Sequence, residues 1–347
     1  TAEHAEFVTI TKFLSKDVSN DCDILCLDEC STISNRDMVR VLQRAQSKLL
    51  VLVGDIYQIE SILFGNWFNI AYKVMPKDSV AELTRPHRTT VQGLIEVWNK
   101  VREITEDRLE FITRNGLSST LDESIFSRTE EDEIVLCLNY DGIYGINNIN
   151  KFLQSNNVNP SINWGVLSYK VGDPVLFNES NRFAPLVYNN LKGKILQIEE
   201  EEDCIYFTIE VYTVLNELDV IGFDLELKES VTDETSVIRF KVGRGGDGND
   251  DNDNVENVVP FQVAYAISIH KAQGLEYESV KVVITSEIEE MVSHNIFYTA
   301  ITRAKSKLKI YWSPETEKRI LENMKVQFND KDYQLFKAKY KEALLKS

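Results

Sequence analysis

ILCLDEC, residues 24–30, is an apolar run that ends abruptly on two adjacent carboxylates, Asp28 and Glu29. Ile24, Leu25, Cys26 and Leu27 do not alternate with polar residues, which is the pattern of a strand covered on both faces in a parallel sheet. Ligands of such sheets bind at the carboxyl ends of the strands. Placed there, Asp28 can hold a Mg²⁺ ion directly or through water, and Glu29 can orient a water for attack on a phosphate. Followed by Ser31 and Thr32, the same pair also suits an ordinary turn or helix cap. The rest of the chain has to separate these two readings.

Outward from this run, strand-like and helix-like patterns alternate. RDMVRVLQRAQ places Met38, Val39, Leu42 and Ala45 on one helical face, and KLLVLVGD is a second apolar run ending in Gly54-Asp55. EIVLCLNY at 133–140 is a third, followed by the helical pattern GINNINKFLQ. Such alternation predicts βαβ units around a parallel sheet. From about 165 to 257 the texture changes to β-rich runs broken by Gly, Pro and Asn, among them VGDPVLFNES, LKGKILQIEE and DCIYFTIEVYTVL. The α/β pattern returns with VPFQVAYAISIHKAQG, SVKVVITSE and NIFYTAITRAKSKLKIYW, and a charged helical tail begins at about 314.

The 347 residues suffice for two cores and a small inserted domain. No apolar stretch reaches the length of a membrane span, and TAEHAEFVTI has neither the basic start nor the apolar core of a signal peptide. Five cysteines, Cys22, Cys26, Cys30, Cys137 and Cys204, are too few for a disulfide framework, which suits a reducing cytoplasm. A net charge of −17 argues against a generic polyanion binder. The acids are concentrated, however, in EDRLEF, TEEDE, EEEED at 199–203 and GGDGNDDNDN at 245–254, the last read as a solvated loop. A locally neutral or basic groove is compatible with that distribution.

In order, LDEC, VGDIYQ, LTRPHR, SIHKAQGLEY and YTAITRAK form a set whose members each have a task around a nucleoside triphosphate. On these motifs the chain, from about residue 8 to 313, resembles a superfamily 1 helicase of the RecD-like, 5′→3′ branch. The resemblance implies two RecA-like P-loop NTPase motor domains that clamp ATP and Mg²⁺ between them, with a small all-β barrel inserted in the second. It divides the chain into 1–82 for the remainder of the first motor, 83–165 and 258–313 for the second, 166–257 for the barrel, and 314–347 for the tail. The activity implied is ATP-dependent translocation on and unwinding of DNA, single-stranded or forked, with RNA as a possible track.

The resemblance also assigns roles. Asp28 holds the metal and Glu29 is the catalytic base. Gln58 senses the γ-phosphate, although family members usually continue Gln-Leu-Pro where this chain has Gln58-Ile59-Glu60. Arg88, with Arg85 as its competitor, and Arg303 reach the phosphates, for which a planar fork that pairs two oxygens is suited. Ser268, His270 and Lys271 touch the nucleic-acid backbone, Gln273 and Gly274 turn back toward the nucleotide, and Glu276 bonds the ribose or the turn. Phe64, Trp67 and Phe68 offer either base-stacking faces or core.

The phosphate cradle Gly-x-x-x-x-Gly-Lys-[Ser/Thr] does not occur; the only Gly-Lys pair, Gly193-Lys194, precedes Ile195 in the β-rich part. FVTITKFL resembles the family segment just upstream of Asp28-Glu29. The expectation is therefore an N-terminally truncated piece of a longer enzyme, inactive alone. The alternative is a non-catalytic nucleic-acid-binding or regulatory module that lost its P-loop.

Overall fold

The apolar run that ends on Asp28 is a strand. In this computed structural model, which describes residues 6–15, 21–61, 65–178, 182–230, 232–244, 257–325 and 330–344, β1 (Asp21–Leu27) follows a single helical turn, α1 (Ile10–Phe13). The chain then crosses through α2 (Asn35–Arg44) to β2 (Gln46–Leu52), which lies parallel to β1 with Leu25 opposite Leu50 and Leu27 opposite Leu52. These four leucines face Phe13, Met38 and Val41. The opposite face carries Ile24, 60% exposed, and Leu49, 52% exposed, so β1 is covered on one face rather than the two expected. The sheet has two strands among the described residues, hence one crossover helix, and one crossover covers one face.

Ser34 caps α2, its hydroxyl accepting the Asp37 N–H at 3.0 Å. Met38 and Val41 are buried and Ala45 packs beside them, whereas Val39 and Leu42 are each 52% exposed. The inward stripe thus runs i, i+3, i+7 from Met38, and the expected Val39 and Leu42 lie on its solvent-facing flank.

Beyond β2 come α3 (Trp67–Val74), α4 (Gln92–Arg102) and α5 (Arg108–Arg114). Trp67 and Phe68 pack against the core beneath β1 and β2, and the Trp67 indole donates to the Ile33 carbonyl at 2.8 Å. Both are half-buried and pack on that core; Phe64 and the acidic run 245–254 lie outside the described residues.

The chain continues through β3 (Ser118–Ser119), β4 (Glu133–Cys137) and α6 (Ile146–Ser155). An all-β excursion follows. Its strands are β5 (Ser161–Trp164), β6 (Leu167–Lys170), β7 (Pro174–Phe177), β8 (Lys192–Glu200), β9 (Cys204–Val211), β10 (Glu226–Lys228), β11 (Ser236–Gly243) and β12 (Phe261–Val263). β5 and β6 form a hairpin, and the other six an antiparallel sheet in the order β10-β11-β9-β8-β7-β12. Strict alternation along β9 sends Ile205, Phe207, Ile209 and Val211 into a core shared with Phe177, Phe183, Phe240 and Phe261. Trp164 and Tyr169 of the hairpin join that core and Phe261 pairs with Phe177, so the excursion spans 161–263, wider than the expected 166–257.

The α/β pattern resumes with β13 (Ala266–Ser268), β14 (Tyr277–Val283), α7 (His294–Ile301), β15 (Ala304–Tyr311), α8 (Pro314–Asn323) and α9 (Asp330–Leu344). β13, β4, β14, β15 and β3, in that order, make a five-stranded parallel sheet. All five residues of β4 are buried, as its unbroken apolar run predicts for a central strand.

Two units result. The first comprises Thr1–Phe111, Val292–Thr302 and Arg319–Ser347; the second comprises Ile112–Met291 and Arg303–Lys318. The first therefore runs past the 82/83 boundary drawn from sequence. The reason is α7, which bonds the Gln58–Ile59 segment and on which α4 packs: the Trp98 indole donates to the Ile301 carbonyl at 3.0 Å, and His294 Nε2 meets the Val101 carbonyl at 2.9 Å. Among the described residues, no helix is long and apolar enough to cross a membrane.

Candidate active site

In the first unit, the carboxyl ends of β1 and β2 lie side by side. Immediately after β1, Glu29 adopts φ 49° and ψ 43°, the left-handed region that a residue with a side chain enters at a cost of about 1–2 kcal/mol. That twist lets Cys30 N–H donate to the Val53 carbonyl at 2.9 Å, locking the turn to the end of β2. The Glu29 N–H donates to Asp28 Oδ1 at 2.8 Å, and the Thr32 hydroxyl donates to the Glu29 carbonyl at 2.8 Å. Thr32 does supply turn chemistry, engaging the Glu29 backbone rather than its carboxylate, whereas the Ser31 hydroxyl is buried without a hydrogen-bond partner among the described residues. Asp28 is exposed and Glu29 half-buried. Cys30 is buried, its thiol pushed up to about 12 chiefly by desolvation and donating to the Leu27 carbonyl, so it stays protonated.

At the end of β2, Asp55 organises the second piece. Its Oδ1 accepts the Tyr57 N–H at 2.9 Å and its Oδ2 accepts Gln58 Nε2 at 3.2 Å. Gln58 Oε1 is buried without a hydrogen-bond partner among the described residues. The turn is clamped by α7: Asn295 Nδ2 donates to the Gln58 carbonyl at 2.8 Å, and Ile59 N–H donates to Thr299 Oγ1 at 3.0 Å. Ile59, where the resemblance breaks, is thus buried and anchored, and burial pushes the neighbouring Glu60 carboxyl up. Arg88 Nη1 donates to the Thr302 carbonyl at 2.6 Å, a cation at the C-terminal end of α7, while Arg85 is exposed.

The second unit holds the other predicted residues. Ser268 ends β13, and its hydroxyl accepts the Lys271 N–H at 3.2 Å. Lys271 Nζ donates to Gln262 Oε1 at 2.7 Å, and burial lowers its pKa; His270 is exposed. The turn passes Gln273 to Gly274, whose φ of +77° favours glycine, and Glu276 pairs with Lys305 at 3.6 Å. Arg303 is 1% exposed, and its Nη1 donates to the Leu275 carbonyl at 3.2 Å, so this arginine and the 268–276 turn form one cluster. Gly193 of the Gly-Lys pair lies in β8, where an added Cβ would sit 2.8 Å from the Glu210 carbonyl oxygen; it permits close strand approach and cradles no phosphate.

Sequence reasoning passed over Asp55, Asn295 and Thr299. For Asp55 the signal was present, an Asp three residues before Gln58 at a strand end; for the α7 residues, about 240 positions away, there was none.

A Mg²⁺ ion is held in nucleotide sites by one or two carboxylates plus phosphate oxygens and water, not by a protein cage. No group of three or more metal-ligating side chains occurs among the described residues. Asp28, a single exposed carboxylate at a strand end, is of the kind that a nucleotide-borne Mg²⁺ takes.

Comparison with known proteins finds two family matches. Residues 2–122 match an AAA domain family and residues 263–311, carrying the 268–276 turn and Arg303, match the UvrD-like helicase C-terminal domain. The RecD subunit of the RecBCD enzyme of Mycolicibacterium smegmatis is 22% identical over 336 residues, covering 88% of this chain and 52% of that protein. The Haemophilus influenzae RecD subunit is 23% identical over 333 residues, 83% of this chain and 50% of its own length. The chain thus spans about half the length of these RecD relatives. Among solved structures, the Pif1 helicase of Candida albicans superposes with a TM-score of 0.53 at 17% identity, over 95% of this chain and 78% of that one. The order of motifs, the matched helicase domain, the RecD relatives and the Pif1-like fold converge on one conclusion: the chain is similar to the RecD-like helicases of superfamily 1.

Proposed function

We propose that this chain carries the greater part of an ATP-driven motor that translocates on DNA and unwinds it. The observation that carries the reading is the junction of Glu29, held left-handed beside Asp28, with the Asp55-Gln58 turn on the neighbouring strand. Asp28 would hold a Mg²⁺ ion, which would supply charge neutralisation at the phosphates. Glu29 orients the attacking water and takes its proton. Asp55 engages one N–H of the Gln58 amide, which leaves the second N–H with which Gln58 responds to the γ-phosphate. Arg88 and Arg303 neutralise phosphate charge as the motor closes, and Gln273, Gly274 and Glu276 line the nucleotide. Ser268, His270 and Lys271 contact the backbone of the strand, and the all-β insertion acts as the small barrel that helps to grip it. Relatives of the same fold were solved with single-stranded DNA and at forked DNA, which supports DNA as the track.

A second reading, a non-catalytic nucleic-acid-binding or regulatory module, is favoured by one observation. Arg88 and Arg303 both donate to backbone carbonyls, as structural arginines do. The deciding experiment is Glu29→Gln in the full-length protein, with nucleotide affinity and turnover measured side by side on saturating single-stranded DNA and on RNA. The motor reading expects turnover nearly abolished and affinity retained. Absence of nucleic-acid-stimulated hydrolysis in the unsubstituted protein decides for the module, and stimulation by RNA alone reassigns the track.

A further inference from the structure

Lys192, the first residue of β8, belongs to the all-β insertion, yet its ammonium points out of that module's core. It forms an ion pair with Asp132 at 2.6 Å and donates to the Glu276 carbonyl at 3.0 Å, while lying 4.1 Å from the ring centre of Tyr277 and 5.0 Å from that of Tyr212. Its side chain is 17% exposed. A buried ammonium is costly unless paired, and an apolar side chain would fill the space between two tyrosines at lower cost. Packing alone therefore does not account for a lysine.

The segment it holds is short and doubly committed. Leu275, one residue before the Glu276 carbonyl, accepts Arg303 Nη1 at 3.2 Å, and Tyr277, one residue after, donates its N–H to the Arg303 carbonyl at 2.9 Å. Asp132 completes the frame, its second oxygen accepting the Glu278 N–H at 3.2 Å. Residues 275–278 are thus pinned from the insertion side by Lys192 and Asp132 and from the β15 side by Arg303. Burial lowers the Lys192 pKa, and Asp132 opposes that shift.

We propose that Lys192 is a positioning residue, the point through which the all-β insertion holds the Leu275–Tyr277 segment and thereby sets where the Arg303 guanidinium stands. The proposal rests on the reading of Arg303 as the phosphate-seeking arginine. A strand held by the insertion then acts on the nucleotide through one backbone carbonyl, with no direct contact between the two ligands.

The test uses the full-length protein. Lys192→Met keeps the stem against Tyr277 and removes the ammonium. With saturating DNA, kcat is expected to fall about 10- to 100-fold, the size of effect that a misplacement near 1 Å produces, with KM for ATP within about twofold. Amide exchange at Glu276–Glu278 should rise, Lys192→Arg should restore most of the activity, and Lys192→Met should add little to Arg303→Lys, because both act on one element. If the methionine variant does not fold, Asp132→Asn decides on the same measurements. Normal kcat in a folded variant, or faster exchange throughout the insertion with none at 276–278, overturns the proposal. An unsubstituted protein without ATP turnover overturns instead the motor reading on which it rests.

Discussion

Glu29 is expected to destabilise the fold it serves, and two substitutions separate its backbone from its side chain. Glu29→Ala and Glu29→Gly both delete the carboxylate, but alanine must keep φ near 49° with a Cβ while glycine accepts that conformation freely. The left-handed region costs a residue with a Cβ about 1–2 kcal/mol. The greater freedom of glycine in the unfolded chain returns roughly 0.4–1 kcal/mol of that. Glycine should therefore be more stable than alanine by about 1 kcal/mol. Urea unfolding measures the difference: with m of about 1–3 kcal/mol/M, the midpoint should lie roughly 0.3–1 M higher for the glycine variant. Both variants should lose about 10²–10⁴ of DNA-stimulated turnover if Glu29 is the base. An alanine variant as stable as the glycine variant would refute the left-handed turn, and with it the geometry that aims the carboxylate.

Other expectations follow the same logic. Arg303→Ala should cost roughly 10³-fold in turnover with a smaller change in ATP affinity, and Arg303→Lys should rescue poorly; because Leu275 loses a donor, stability should also fall by about 1–3 kcal/mol, so calorimetry on both variants separates the two losses. Ile104 sits at φ 53° just past α4, with Thr105 N–H donating to the Lys100 carbonyl at 3.0 Å, a helix end that favours glycine; Ile104→Gly should raise the unfolding midpoint, and a lowered one would contradict the geometry. His294 is buried, which lowers its pKa in the folded state. The unfolded chain therefore binds the proton first, and the stability that neutral His294 supports is present above about pH 6.5 and lost as pH falls below it. His294→Gln should flatten the dependence of unfolding free energy on pH in that window, and an unchanged slope would exclude the effect.

Residues 24–30 and the motifs beyond them carry the candidate site residues in legible form, because each motif is contiguous. Asp28 and Glu29 are neighbours in the chain, Asp55 reaches Gln58 within one turn, and the 268–277 decapeptide folds back on itself through Ser268 and Gly274. Local hydrogen bonds set their shapes, and local shapes are written locally. The same holds for the unbroken apolar run of β4 and the strict alternation of β9, whose periods report burial directly.

What lay beyond reach of the sequence depends on contacts between distant residues. Nothing in ILCLDEC states that Ile24 is left exposed, since that depends on how many crossovers cover the sheet. Nothing in LTRPHR says that Arg88 meets the Thr302 carbonyl, 214 positions on, or that α4 draws residues 83–111 into the first unit. Lys192 reads as one more cation in a β-rich stretch until the fold places it on the Glu276 carbonyl, 84 residues away. Residue type and period decide which groups are present and which way they face; long-range packing decides which of them share a hydrogen bond.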